Sequence, residues 1–169
     1  MILNILQWPD PLLYTKSTEV VPDEIPKFQK LILDMSETMY SNDGVGLSAI
    51  QVGVPLSIIV MDIGAGLEVY INPIATLKGS RVAVKEACLS VQGVSEYVTR
   101  STGLQASFFN EEARFIYLDT ATQGNGEYRA HVLQHEIDHC NGELFVDLLV
   151  GFKRERALKK LRQRPSLRS

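Results

Sequence analysis

The chain has 169 residues, 45% of them hydrophobic, which is enough for one sizeable core and short for two domains. Two cysteines, Cys88 and Cys140, are too few for a disulfide framework, and no stretch approaches the roughly 20 apolar residues of a membrane span. A net charge of −3 conceals a division: from residue 153 onward eight basic residues face one acid, so the tail carries +7 and the preceding body −10. The opening MILNILQWPDPLLY lacks the basic start and small-residue cleavage site of a secretory signal. These features exclude a secreted disulfide scaffold and a helical membrane protein, and leave a cytoplasmic enzyme of one domain, 1–169, as the expectation. The basic tail, 153–169, calls for an anionic partner or is a solvated terminal helix.

In chain order, WPDPLLY is expected to be extended, stiffened by Pro9 and Pro11. The run EIPKFQKLILDMSETMYSNDG places Phe28, Leu31, Ile32, Met35 and Met39 at helical spacing, and predicts a first helix stopped by Gly44. Between residues 47 and 118 the short apolar runs LSIIVMDI, LEVYINPI, RVAVKEA, GLQASFF and RFIYLD alternate with Gly, Pro and Asn, as antiparallel strands do. SVQGVSEYVTR, between two of them, reads as a loop. A second helix is predicted over 126–141, closed by Gly142 in the left-handed conformation. Ala130, Leu133, Ile137 and Cys140 fall on one of its sides, and Tyr128, Val132, His135 and His139 on the other, so it is wanted on both sides and is central. The last helix, 152–164, turns Ala157, Leu158 and Leu161 inward and ends at Pro165. Helix, strands, helix, helix is the order of an α+β fold: antiparallel β-sheets around a central helix, with an N-terminal helix and a basic C-terminal one.

That central helix contains QHEIDHCNG. Histidines at i and i+4 stand one above the other on a helix face, able to grip one metal ion, with Glu136 beside them as a base. Taken alone, the pair is also compatible with an ordinary exposed helix. Two ligands are too few for a catalytic ion. His131 lies two turns from His139, about 12 Å along the axis, and cannot share an ion with both. Cys140 points about 100° away from His139 around the helix. Phe145 stands where an extended zinc-protease motif needs a third histidine. Cys88, in KEACLSV, remains, although a lone cysteine between apolar neighbours is ordinarily a core residue.

Three segments, GVGLSAIQ (44–51), EACLS (86–90) and QHEIDH (134–139), occur in the order and at the separations of the peptide deformylases, which the chain resembles from PDPLL to GELFVDLL. The resemblance implies that Cys88, His135 and His139 hold one divalent metal ion, ferrous iron in the native state with zinc, nickel or cobalt as substitutes. It further implies hydrolysis of the formyl amide on the N-terminal formyl-methionine of nascent polypeptides. Glu136 is then the general base, while the Gln51 side chain and the Leu89 backbone N–H donate to the developing oxyanion. Val45 and Gly46 lie along the incoming peptide, beside Ala87. Tyr128 and Val132, with Val45 and His135, are candidates for the pocket that takes the methionine side chain. As single residues, Gln51 reads as a strand-end polar group, the glycines as a turn, and Tyr128 and Val132 as core. The chain departs from the family pattern at Ser48, Ala87, Gln92, Ser95 and Cys140, none of them a ligand or Glu136. The resemblance also implies a ribosome contact through the basic C-terminal helix. Two other readings are another metal-dependent amidase or peptidase, and a non-catalytic relative that docks on ribosomes.

Overall fold

The computed structural model describes residues 1–163. Its framework is one antiparallel sheet whose strands lie side by side in chain order: β1 (Gly46–Ser48), β2 (Ile58–Met61), β3 (Glu68–Ala87), β4 (Ser95–Phe109) and β5 (Phe115–Asp119). Two runs expected as separate strands, LEVYINPI and RVAVKEA, are the two ends of β3. The breakers between them are absorbed by register shifts against β4. One shift, between Ile71 and Ile74, passes Asn72 at φ 52°, and the other, between Lys78 and Arg81, passes Gly79 at φ 73°. An extra residue at each bulge lets the chain bend around Pro73 and Gly79 without ending the strand.

The expected loop 90–100 is only partly one. Residues from Ser95 onward belong to β4, where Glu96, Val98 and Arg100 alternate inward. Charged residues at two of three inward positions break the apolar alternation by which a half-buried strand is recognised.

The first helix also starts later than expected. Pro22–Phe28 winds as a 3-10 turn with Pro26 inside it, and the α-helix proper, α1, is Gln29–Ser41. Proline has no N–H for the i−4 carbonyl and disfavours helical backbone in the residue before it. At the far end Asp43, not Gly44, takes the left-handed conformation, φ 53°, and the Gly44 N–H donates to the Met39 carbonyl at 3.0 Å. Ile32, Met35 and Met39 of α1 are buried with Leu47, Ile58 and Val60. The segment expected to be extended includes a second 3-10 turn, Pro11–Tyr14, capped by the Asp10 carboxylate, which accepts from the Leu12 N–H at 2.9 Å.

The central helix, α2, runs Gly126–Cys140. Gly142, at φ 77°, ends it as expected, and a Cβ there would also stand 2.7 Å from the Tyr14 carbonyl oxygen. Ala130, Leu133 and Cys140 pack with Ile59, Tyr70, Leu104 and Leu118 of the sheet. Truncating a side chain such as Leu133 in this layer costs about 2–5 kcal/mol. The last helix, α3, is Gly151–Arg162, and its Ala157 and Leu161 are buried with Cys88, Val94, Val98 and Phe145. Two of its cations turn inward to Glu96 of β4: Lys153 Nζ lies 3.6 Å from Oε1, and Arg156 pairs with Oε2. Arg164, Pro165 and Arg168, expected at the helix end and in the tail, lie outside the described residues.

Candidate metal centre and catalytic cleft

His135 and His139 follow one another by one turn on α2, and both present Nε2 to the same point, 3.2 Å apart. The bend after β3 brings Cys88 to that point, with Sγ 3.2 Å from His139 Nε2, and the three donor atoms lie within 4.8 Å of one another. A tetrahedral ion with metal–nitrogen bonds of about 2.0–2.1 Å and a metal–sulfur bond of about 2.3 Å separates its ligand atoms by roughly 3.3–3.6 Å. The cluster fits such an ion. Neither His131 nor Cys140 belongs to it.

His135 is oriented from behind. Its Nδ1 meets Oε2 of Glu86 at 2.8 Å, so the ring proton sits on Nδ1 and the Nε2 lone pair faces the cluster. Glu86 is itself gripped by Arg100, whose Nε reaches Oε1 at 2.6 Å and whose second nitrogen reaches Oε2 at 3.0 Å. Arg100 also donates to Asp138 at 2.6 Å. Burial would push the Glu86 carboxyl up, but the hydrogen bonds from His135 and Arg100 outweigh it and bring it down to about 2. His139 has no such carboxylate. It is completely buried, and its Nδ1 has no hydrogen-bond partner among the described residues, so packing holds this ring.

Glu136, between the two histidines in sequence, is 4% exposed. Burial raises its carboxyl above the usual range; the neighbouring His135 and the Ser48 hydroxyl oppose this without cancelling it. Oε2 lies 2.7 Å from the Ser48 hydroxyl oxygen. Gln51 sits not at a strand end but in the 3-10 turn Ala49–Val52 that follows β1. Its Oε1 accepts from the Ser48 N–H at 2.9 Å, while its Nε2 donates to Ser90 Oγ at 3.1 Å and points to Cys88 Sγ at 3.6 Å. The N-terminal segment straps these pieces together: the Leu6 N–H donates to the Gln51 carbonyl, Gln7 Nε2 to the Leu89 carbonyl and the Trp8 N–H to the Ser90 carbonyl, each at 2.8 Å.

A cleft of about 430 Å³ opens over this cluster. Val45, Gly46, Gln51, Ala87 and Leu89 line it from the sheet side, and Tyr128, Val132, His135 and Glu136 from α2. Tyr128 and Val45 remain 47% and 39% exposed, so they form the mouth rather than a closed core. β1 is an edge strand, and β2 covers β3 only over Glu68–Ile71, which leaves the β3 edge near Ala87 bare. The residues named from the sequence for catalysis and for peptide binding all line this cleft, but the sequence does not show that Asp43, Lys85, Val91, Val94 and His131 line it too, misses Ser48, Arg100 and Asp138 as its support, and leaves Glu86 without a part. The inward alternation of Glu96, Val98 and Arg100 is the available signal for one of them.

Comparison with known proteins shows the family of the chain. The family model described as polypeptide deformylase matches residues 2–155. The chain belongs to that family. A peptide deformylase of Nitrosococcus oceani is 38% identical over 169 residues, covering 98% of each chain. Among solved structures, a peptide deformylase from Legionella pneumophila superposes with a TM-score of 0.85 at 35% identity, covering 98% of this chain and 100% of the other. One from Ehrlichia chaffeensis, in complex with actinonin, gives 0.84 at 36% identity, covering 97% and 99%. The deformylase family is metal-dependent, and this member carries a Cys/His/His group suited to an ion. No helix among the described residues is long and apolar enough to cross a membrane.

Proposed function

We propose that the protein is a peptide deformylase that removes the formyl group from the N-terminal formyl-methionine of nascent polypeptides. The observation that carries this reading is the convergence of Cys88, His135 and His139, three groups able to hold an ion, with a buried carboxylate and a side-chain amide beneath one cleft in a member of that family. Cys88, His135 and His139 would hold the ion, ferrous iron natively with zinc, nickel or cobalt as substitutes. When bound, it supplies Lewis acidity toward the formyl carbonyl and lowers the pKa of water.

The remaining work falls to the chain's own groups. Glu136 accepts the proton of the attacking water and passes it to the leaving amine nitrogen, a transfer suited to a carboxyl whose pKa burial has raised. Gln51 Nε2 and the Leu89 N–H donate to the oxygen on which negative charge gathers. A thiolate ligand cancels one positive charge of the ion, which makes those donors more important than in a three-histidine site. The peptide enters as an added strand between the β1 edge at Val45 and Gly46 and the bare β3 edge at Ala87. Its first side chain lies toward Tyr128, Val132 and Val45. The whole chain, 1–169, acts as one catalytic unit in the cytoplasm, with the basic tail as its ribosome contact.

Formate release from a formyl-Met peptide, measured on protein stripped with chelator and then refilled, tests this reading beside the unformylated peptide. Release only by the refilled protein and only from the formylated peptide is expected. Cleavage of internal bonds would identify a different amidase, and no turnover by refilled protein a non-catalytic relative.

A further inference from the structure

One fully buried residue touches both Glu136 and Gln51. Ser48, 0% exposed, donates its backbone N–H to Gln51 Oε1 at 2.9 Å, while its hydroxyl oxygen stands 2.7 Å from Glu136 Oε2 and 2.9 Å from the Glu136 carbonyl oxygen. A serine hydroxyl has one hydrogen, so only one of the two acceptors receives it in full. The carboxylate is the nearer, and an ionised acceptor makes the stronger bond; the carbonyl, inside a helix, has the N–H one turn on. The other carboxylate oxygen is confined as well. A Cβ on Gly46 would lie 2.5 Å from Glu136 Oε1, so this oxygen occupies the space that a side chain at 46 would fill.

We infer that Ser48 is a positioning residue for the reaction: its hydroxyl fixes the orientation of the Glu136 carboxylate, and its backbone N–H fixes the amide of Gln51. This rests on Glu136 being the base. The carboxylate is clamped by a hydroxyl on one oxygen and by the bare Cα of Gly46 at the other, so it cannot swing about its terminal torsion, which is otherwise broad. Since that N–H belongs to the main chain, a side-chain substitution at 48 releases Glu136 and keeps the contact to Gln51 Oε1, although it also removes the hydroxyl oxygen that accepts from the Gln51 backbone N–H at the start of the 3-10 turn. Such a residue acts on the rate of the chemical step and not on the affinity for peptide or metal.

The experiment compares Ser48→Ala, Glu136→Gln and the double variant, each in the metal-loaded full chain, for kcat and KM on a formyl-Met peptide, with metal content and melting temperature as separate readouts. Ser48→Ala is expected to lower kcat about 10-fold, the scale of a hydrogen bond to a charged group, with KM and metal content close to those of the parent and a melting temperature lowered only by the lost cap. In the Glu136→Gln background the same change is expected to cause no further loss, because the partner it orients is gone. Ser48→Cys, a weaker donor of similar size, should fall between serine and alanine, and carries the comparison if the alanine variant does not fold. An unchanged kcat in Ser48→Ala, or equal fold-losses in both backgrounds, overturns the inference while leaving Glu136 as the base. Full turnover by Glu136→Gln removes the base itself, and the inference with it.

Discussion

Gly46 and Glu136 share one small volume: a Cβ built on the glycine would stand 2.5 Å from Oε1 and 2.9 Å from Cδ of the glutamate. Such distances are not tolerated, so in Gly46→Ala one partner must move. The flexible partner is the carboxylate, and the fold survives. A reacting group displaced by about 1 Å loses on the order of 100-fold in rate. Gly46→Ala is therefore expected to keep its metal and its melting temperature while kcat on a formyl-Met peptide falls about 100-fold. Turnover near that of the parent would show that the carboxylate works equally well elsewhere.

Cys88 is the one proposed ligand that does not come from α2, and it closes the cluster against both histidines. Cys88→Ser replaces a thiolate with a poor ligand and leaves two imidazoles, so elemental analysis should find well under one ion per chain. Cys140→Ser is the control. Its thiol, pushed up to about 12 by burial and only partly offset by the Ser57 and Ser48 hydroxyls, is a neutral core group outside the cluster. The serine variant at 140 should retain full metal. Stoichiometric metal in Cys88→Ser would remove Cys88 from the centre.

Arg100 compensates two buried carboxylates at once, Glu86 behind His135 and Asp138 on α2. Replacing the guanidinium by glutamine strips both of their cation. Breaking a buried pair by removing one partner typically costs about 3–5 kcal/mol. Urea unfolding of Arg100→Gln should show a loss of that order. Because Glu86 then orients His135 less firmly, chelator competition should also show metal held about 10–100-fold more weakly. A variant with parental stability and metal affinity would reduce the network to a bystander.

Much of this is legible in the sequence because helices obey a spacing rule that short motifs satisfy. His135, Glu136 and His139 fall on one helix, Gly142 at its end and Cys88 at the end of a strand from residue order alone. The differences have physical causes. β3 reads as two strands because Pro73 and Gly79 ordinarily end strands, and only a partner strand with room for bulges overrides them. The first half of β4 reads as a loop because Glu96 and Arg100 face inward, where their cost is met by Lys153, Arg156, Glu86 and Asp138, partners remote in sequence. Ser48 stands out in the sequence only as a departure from a family pattern. Its contact with Glu136 spans 88 positions, and no local rule reveals a pairing at that distance.

Glu96 makes one contact sensitive to acid. The backbone N–H of Tyr97 and the guanidinium of Arg156 hold its carboxyl below the usual carboxylate range. A carboxyl depressed in the folded state stabilises the fold fully above its unfolded pKa, about 4.3, and that contribution is lost as pH falls through the folded value. Exchange of α3 backbone amides should accelerate between about pH 4.5 and the folded-state pKa, relative to amides of α2. Glu96→Gln should show the looser α3 already at neutral pH and no added acid effect. Identical protection of α3 across this range would mean that Ala157 and Leu161 alone hold the helix.

The basic tail is proposed to dock on the ribosome, and the fold narrows which of its charges do so. Lys153 and Arg156 are engaged with Glu96, whereas Lys159, Lys160 and Arg162 are exposed on the last turns of α3. An acidic body is repelled by ribosomal RNA, so cations grouped beyond it set where the two meet. Deleting the tail is a poor test, because α3 buries Ala157 and Leu161 in the same apolar cluster as Cys88, and its removal would disturb the metal centre. Neutralising Lys159, Lys160 and Arg162 together as glutamines leaves that packing intact. Cosedimentation with ribosomes across a salt series should then show weaker binding for the triple variant. Its log–log salt dependence should be shallower by about one to three units, at roughly 0.7–0.9 for each phosphate no longer neutralised. Glu96→Gln releases Lys153 and Arg156 and should shift binding the other way. Activity on free formyl-Met peptides should be unchanged in the triple variant, since none of the three residues lines the cleft. Equal ribosome binding by parent and triple variant at every salt concentration would assign these charges to solubility alone.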